Sequence, residues 1–306
     1  MPKPVLIIIA GPTAAGKTSL SVALARHLST EIISADSRQF YREMQIGTAR
    51  PKEEELSGIT HHLLGFLSIE QAYDISQFEV DALQAARSIF EQNRFAIATG
   101  GSGLYLRTLC EGIDDMPEAD ETLRQQLQLR LEYEGLSGLQ QELQRLDPAY
   151  FAEADIQNPR RVLRALEVCL SSGKPYSSFR SSRPKADRPF DILKIGLYRE
   201  REELYQRINL RVDQMMEEGL LEEVRSLYPY RQLNALQTVG YQEFFPYLEE
   251  KYELEEAIRL LKRNSRRYAK RQMTWFRKEK DIHWINLSTE KDPLRQMIRI
   301  IQENTV

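Results

Sequence analysis

The chain has 306 residues, 42% hydrophobic and 28% charged, with a formal net charge of −3; this balance excludes disordered, fibrous and polybasic classes and suits one α/β core with a sizeable insertion. With no general attraction to polyanions, any nucleic-acid surface has to come from local clusters of Lys and Arg. Cys110 and Cys169, together with His27, His61, His62 and His283, show no metal-ligand spacing, which predicts reduced thiols and no structural metal.

In chain order, the first predicted element is an apolar strand over residues 5–10. It is too short to span a membrane and lacks the longer apolar region and cleavage site of a signal peptide, so a cytoplasmic protein without membrane contact is expected. Gly11, Pro12, Thr13, Ala14, Ala15, Gly16, Lys17 and Thr18 follow, fitting G-x-x-x-x-G-K-[ST] between that strand and a helical pattern over residues 18–28. Converging backbone N–H groups and a helix N-terminus make such a loop an anion site. Lys17 is placed to neutralise terminal phosphate oxygens, and the Thr18 hydroxyl to reach Mg2+. The loop alone leaves open whether the ligand is a nucleotide, such as ATP, or another diphosphate.

A second strand over residues 31–35 ends at Asp36, which leads into Ser37, Arg38 and Gln39. Asp36 fits a catalytic carboxylate, a metal-shell ligand or a helix N-cap equally well, and the polar residues after it suit a flat base. A helix over 78–92, a strand over 95–98 and a turn at Gly100, Gly101, Ser102 and Gly103 come next, with further strands over 192–197 and 282–287. Strands alternating with helices predict a parallel sheet covered on its faces.

The alternation stops between residues 111 and 189, where helical patterns at 121–134, 138–146 and 160–171 run on without a strand. The expected fold class is therefore α/β, a P-loop NTPase-like parallel sheet core over 1–113 and 190–306 with an inserted all-helical domain over 114–189. Residues 111–155 carry 12 acidic and 3 basic residues, whereas 156–188 carry 8 basic residues against Glu167 and Asp187. One side of the insertion is thus suited to phosphates. Asn158 and Pro159 read as a cap and first-turn proline for a helix with Arg160, Arg161 and Arg164 on one face and Leu163 and Leu166 on another. Residues 259–280 hold ten basic residues against Glu279. There, Leu261, Tyr268 and Trp275 read as a buried stripe, and Arg263, Arg266, Arg267, Lys270 and Arg271 as the exposed side. His61, His62 and Tyr241 read as structural, and the bare pair Arg207 and Arg211 as surface residues.

Several blocks in order resemble the bacterial tRNA dimethylallyltransferase (tRNA isopentenyltransferase) family: GPTAAGKT at 11–18, SADSRQFYREMQIGTARP at 34–51, HHLL at 61–64, ATGGSGLYL at 98–106, NPRRVLRALEV at 158–168, RINLRVDQMMEEGLLEEV at 207–224, TVGYQEF at 238–244 and YAKRQMTWFR at 268–277. Departures are Ser102 in place of the usual Thr, Gly65 where Asp is common, and Asn264–Ser265 in place of a Thr-Arg neighbourhood. The resemblance implies prenyl transfer from dimethylallyl diphosphate, with Mg2+, to N6 of the adenine 3′ to the anticodon of tRNA. It implies that Asp36 accepts the amine proton, Ser102 orients the amine, and Lys17 and Arg211 serve the diphosphate. It further implies that the blocks Asp36, Ser37, Arg38, Gln39 and Asn158, Pro159, Arg160, Arg161 contact the anticodon stem-loop, with Ser102 at the base. A monomer is expected. A small-metabolite or nucleoside kinase, an adenylate isopentenyltransferase and a non-catalytic RNA-binding protein are the competing readings.

Overall fold

A computed structural model describes residues 3–114, 116–117, 121–180 and 187–305. Along the chain these form β1 (Val5–Ala10), α1 (Lys17–Leu28), β2 (Ile32–Ser34), α2 (Glu53–Leu56), β3 (His61–His62), α3 (Ile75–Phe90), β4 (Phe95–Gly100) and α4 (Gly103–Glu111). Four helices follow: α5 (Glu121–Glu134), α6 (Leu136–Leu146), α7 (Pro148–Glu153) and α8 (Pro159–Ser172). The remainder is β5 (Asp191–Tyr198), α9 (Arg201–Glu217), α10 (Leu220–Leu227), α11 (Phe245–Leu248), α12 (Leu254–Phe276), β6 (Ile282–Asn286) and α13 (Pro293–Asn304).

The strands pair in parallel in the order β3-β2-β4-β1-β5-β6. All of β1 is buried, and its side chains alternate between the two faces of the sheet. Val5, Ile7 and Ile9 pack with Val22 and Leu24 of α1 and Met297 and Ile301 of α13. Leu6, Ile8 and Ala10 join the other core, which includes Phe78 of α3, Leu109 of α4 and Leu261 of α12. The loops after β1, β2, β4 and β5 therefore gather beyond the carboxyl ends of the strands, where open parallel sheets place their ligands.

α3 begins three residues before the apolar pattern that suggests it. Asp74 caps it by accepting from the Ser76 and Gln77 amides, both at 2.9 Å, while the Gln77 side chain accepts from the Asp74 amide at 2.8 Å. β3 is a strand that periodicity misses, because two residues are too few to alternate. It is fixed by pairing with β2, Ile32 opposite His61.

The chain divides into two compact units, residues 1–112 with 188–306, and residues 113–187. The smaller unit contains helices and no strand among its described residues, with Leu127, Leu139, Leu143, Val162 and Leu166 at its centre. Asn158 Oδ1 accepts from the Arg160 amide at 3.1 Å, and Pro159 occupies the first turn of α8. Arg160 and Arg161 are exposed. Arg164 departs from them: with Arg124 it flanks the buried Glu167 carboxylate, at 3.2 and 3.1 Å respectively. A buried carboxylate needs such partners, so Arg164 is drawn inward. Arg188 also leaves the expected basic face, because it belongs to the larger unit and pairs there with Glu79 at 2.6 Å. Arg183 and Lys185 of that block lie outside the described residues.

Candidate active site

The phosphate loop closes tightly between β1 and α1. A side chain at Gly11 would meet the Leu197 carbonyl oxygen at 2.3 Å, and Gly16 adopts a left-handed φ of 111° at the start of α1. Three arginines brace the loop. Arg199 Nε donates to the Ala15 oxygen and Arg207 Nε to the Ala14 oxygen, each at 2.9 Å, and Arg211 Nη1 donates to Thr13 Oγ1 at 3.2 Å. These contacts hold the Ala14 and Ala15 carbonyls and the Thr13 hydroxyl, which fixes the shape of the loop that an anion would meet.

Lys17 Nζ donates to the Pro12 oxygen at 2.9 Å. Burial pushes its pKa down to about 8, against the pull of Asp36 and with help from Arg211. Burial likewise lowers the pKa of Arg211. Among the described residues neither Lys17, Arg207 nor Arg211 has a carboxylate within ion-pair distance. Lys17 and Arg211 are the desolvated members of this cluster, and since buried cations are normally paired, their charge suits an anionic ligand. Arg211 thus belongs to the site, and Arg207, though exposed as a surface residue would be, lines the same cavity.

Asp36 stands at the end of β2, with Oδ1 accepting from the Arg38 amide at 3.1 Å. Among the described residues no hydrogen bond falls on Oδ2, which leaves that oxygen free for a substrate N–H. β4 reaches Asp36 because Gly100 lacks a side chain: a Cβ there would lie 2.2 Å from the Ala35 oxygen. The next turn brings in Ser102, whose Oγ accepts from the Ser37 amide at 3.2 Å and lies 3.3 Å from Ser37 Oγ.

α12 closes the site on a side that sequence spacing does not reveal. The pKa of Tyr268 is pushed up to about 12, chiefly by burial and then by the Asp36 charge, with Ser102 pulling it the other way. The apolar stripe expected on this helix is thus partly a site wall: Leu261 is buried, and both it and Tyr268 line the cavity. Trp275 fills the space beside Gly103, where a Cβ would meet its ring at 2.2 Å. On the other face Arg267, Lys270 and Arg271 are exposed. Arg263 and Arg266 are half-buried, and Arg266 donates to Asn209 Oδ1 at 2.6 Å.

The cavity between these groups, about 280 Å3, is lined by Thr13, Lys17, Thr18, Asp36, Arg207, Arg211, Tyr268 and Gln272, with Ile208, Val212, Met215, Val239 and Leu261 as apolar wall. A charged end and an apolar end in one space suit a ligand with both characters. Arg38 and Gln39 line it while also bracing neighbouring loops. Arg38 Nη1 donates to the carbonyls of Asn234 and Ala235, and Gln39 Nε2 to those of Thr48 and Ala49.

The wall at residues 45–49 is fixed by Glu223, whose carboxylate accepts from the amides of Gln45, Ile46 and Gly47 at 2.9 to 3.1 Å and from the Tyr241 hydroxyl at 2.7 Å. Tyr241 is fully buried, consistent with a structural role. Glu223→Ala leaves these donors without their acceptor, and roughly 2 kcal/mol of stability is expected to be lost; thermal unfolding checks this. His62 Nε2 lies 2.6 Å from Glu31 Oε2, and His61 Nδ1 lies 2.9 Å from the Ile59 oxygen. Of the departures from the family pattern, Gly65 leaves space taken by Arg50, since a Cβ would sit 2.6 Å from its Nη1. Asn264 Nδ2 donates to the buried Glu243 at 2.8 Å.

A braced phosphate loop, unpaired cations and a carboxylate facing a shared cavity define a P-loop α/β protein built for group transfer involving a phosphorylated ligand. The chain belongs to the IPP transferase family, whose sequence profile matches residues 39–279. It is 51% identical to the tRNA dimethylallyltransferase of Christiangramia forsetii over 279 residues, 91% of this chain and 92% of that protein. Against tRNA dimethylallyltransferase 1 of Bacteroides thetaiotaomicron it is 49% identical over 294 residues, 96% of this chain and 95% of that protein. Among solved structures it resembles the tRNA isopentenylpyrophosphate transferase of Bacillus halodurans, with TM-score 0.73, 38% identity and coverage of 98% and 96%. It also resembles a eukaryotic dimethylallyltransferase acting on tRNA, with TM-score 0.81, 30% identity and coverage of 98% and 79%.

Proposed function

We propose that this chain, acting as a monomer, transfers the dimethylallyl group of dimethylallyl diphosphate to N6 of the adenosine 3′ to the anticodon, position 37, in tRNAs reading codons that begin with U. The observation that carries this reading is the single cavity in which unpaired Lys17, Arg207 and Arg211 face the same space as Asp36. As the allylic C–O bond breaks, negative charge grows on the diphosphate, and Lys17, Arg211 and the loop amides stabilise that charge more than the ground state. The apolar wall at Ile208, Val212 and Met215 takes the five-carbon tail. The exocyclic amine of adenine is a weak nucleophile; Asp36 Oδ2 accepts its hydrogen bond and then its proton, and Ser102 orients it. The C–N bond forms, the C–O bond breaks and diphosphate leaves.

The donor set suits Mg2+ held jointly with substrate. Thr18 offers a hydroxyl at the loop, and among the described residues no group of three His, Cys, Asp or Glu side chains could cage an ion; Mg2+ usually keeps water and substrate oxygens as ligands. When bound, it neutralises charge on the leaving diphosphate.

The acceptor base has to leave its stack to reach Asp36. Exposed Arg160 and Arg161 are suited to the phosphates of the anticodon stem-loop, with Ser37, Arg38 and Gln39 near the base. Among the described residues no helix is long and apolar enough to cross a membrane. Replacing Arg160 and Arg161 together by alanine is expected to weaken tRNA binding and lower the slope of log K against log salt by about 1 to 2. An unaltered slope would leave both as ordinary solvated residues.

The reading is tested by mass spectrometry of anticodon-loop nucleosides after incubation of unmodified tRNA with protein, donor and Mg2+. A prenylated adenosine at position 37 is expected. ATP consumption without a modified nucleoside would favour a kinase, and prenylation of AMP alone an adenylate isopentenyltransferase.

A further inference from the structure

Gln272 is 5% exposed, deep in the cavity wall. Its Oε1 accepts from the Thr13 amide at 2.9 Å, and its Nε2 donates to the Gly101 carbonyl at 2.9 Å. One amide therefore joins the phosphate loop to the turn that carries Ser102. The Gln amide presents an acceptor and a donor on separate atoms of one planar group, and Asn, the other side-chain amide, is one carbon shorter. The turn is shaped for this contact, since a Cβ at Gly101 would lie 2.2 Å from Gln272 Nε2. From there the chain of contacts continues through Ser102 to Ser37, next to Asp36.

We propose that Gln272 is a positioning residue that fixes the separation between the diphosphate loop and the amine-binding turn. The inference rests on the function proposed above. Transfer requires the donor carbon and the acceptor nitrogen to be held in line between two sites on different loops, and misplacement of about 1 Å costs roughly a hundredfold in rate. Each substrate can still bind its own loop when the spacer is lost, so the loss falls on kcat.

The test compares the full-length protein with Gln272→Met, which keeps the length and loses both hydrogen bonds, and Gln272→Glu. Once protonated, the glutamic acid restores one donor and one acceptor; ionised, it opposes the Gly101 carbonyl. For Gln272→Met, kcat is expected to fall at least about tenfold, with both KM values and inorganic diphosphate affinity within about threefold. For Gln272→Glu, the ratio of its kcat to that of the unaltered protein is expected to rise at least about fivefold from pH 8 to pH 5.5. Hydrogen exchange at the Thr13 amide, read on the protein alone, should be slow in the unaltered protein, fast in Gln272→Met, and slow again in Gln272→Glu at acid pH.

A kcat of Gln272→Met above half the unaltered value, a loss confined to KM, or a flat ratio for Gln272→Glu would overturn the proposal. If Gln272→Met does not fold, the Gln272→Glu ratio decides. An unaltered protein that prenylates no tRNA would sink the functional reading instead, while Thr13 exchange would still decide whether Gln272 holds the loop.

Discussion

Asp36→Ala is expected to lower kcat for prenyl transfer by roughly two to four orders of magnitude, the range for loss of a general base. Affinity for tRNA should stay within a fewfold, because in the function proposed above the carboxylate makes one RNA contact among several. Its two oxygens have different duties. Oδ1 stabilises the local turn through the Arg38 amide, whereas Oδ2 is free to meet the substrate. Asp36→Asn therefore serves as the sharper variant: it keeps the turn and loses the base, so its kcat should fall nearly as far with less effect on folding. Single-turnover kinetics with saturating donor and tRNA measure this, and unchanged turnover in either variant would remove Asp36 from its role.

The second large effect concerns Lys17. Its pKa is about 8 in the free protein, held down mainly by burial, and a bound diphosphate would raise it by supplying the missing negative charge. Below pH 8 the lysine is charged before the donor arrives, so affinity is independent of pH. Above pH 8 binding has to take up a proton, and donor affinity is expected to weaken roughly tenfold per pH unit until the pKa of the complex is reached. Calorimetry in buffers of different ionisation enthalpy should show proton uptake at pH 9 and little at pH 7.

The stability trend of the free protein runs the other way. The unfolded lysine has its ordinary pKa of 10.5. The folded value is lower, so the unfolded chain binds more protons between pH 8 and 10.5. The Lys17 contribution to stability therefore rises across that window. Lys17→Met should remove both trends and lower kcat/KM by roughly a hundredfold or more.

How much of this was legible in the sequence depends on how local each feature is. The phosphate loop is a contiguous backbone motif, and its glycines, lysine and threonine occupy the places that its spacing requires. Asp36 and Ser102 each follow an apolar run, so strand ends marked them, and the family resemblance supplied their roles. The helical insertion was visible as a loss of alternation. Gln272 was not visible, because its partners lie 259 and 171 residues away and no local pattern records such contacts.

Tyr268 illustrates a subtler ambiguity. Leu261, Ser265, Tyr268 and Gln272 follow helical spacing, and they line the cavity together. The same periodicity that buries a stripe in a core can turn a helix face toward a ligand. Arg164 differs for a related reason, since the helical pattern groups it with Arg160 while the buried Glu167 draws it inward.

In the proposed reaction a diphosphate in the loop and a purine amine at Asp36 meet across one cavity. A crystal structure with an unreactive thiolodiphosphate analogue of the donor and an anticodon stem-loop tests it most directly. The diphosphate is expected against Lys17 and Arg211, with the allylic carbon roughly 3 to 3.5 Å from adenine N6, the spacing of a near-attack geometry. A tail directed away from Asp36, or a base bound elsewhere on the protein, would contradict it.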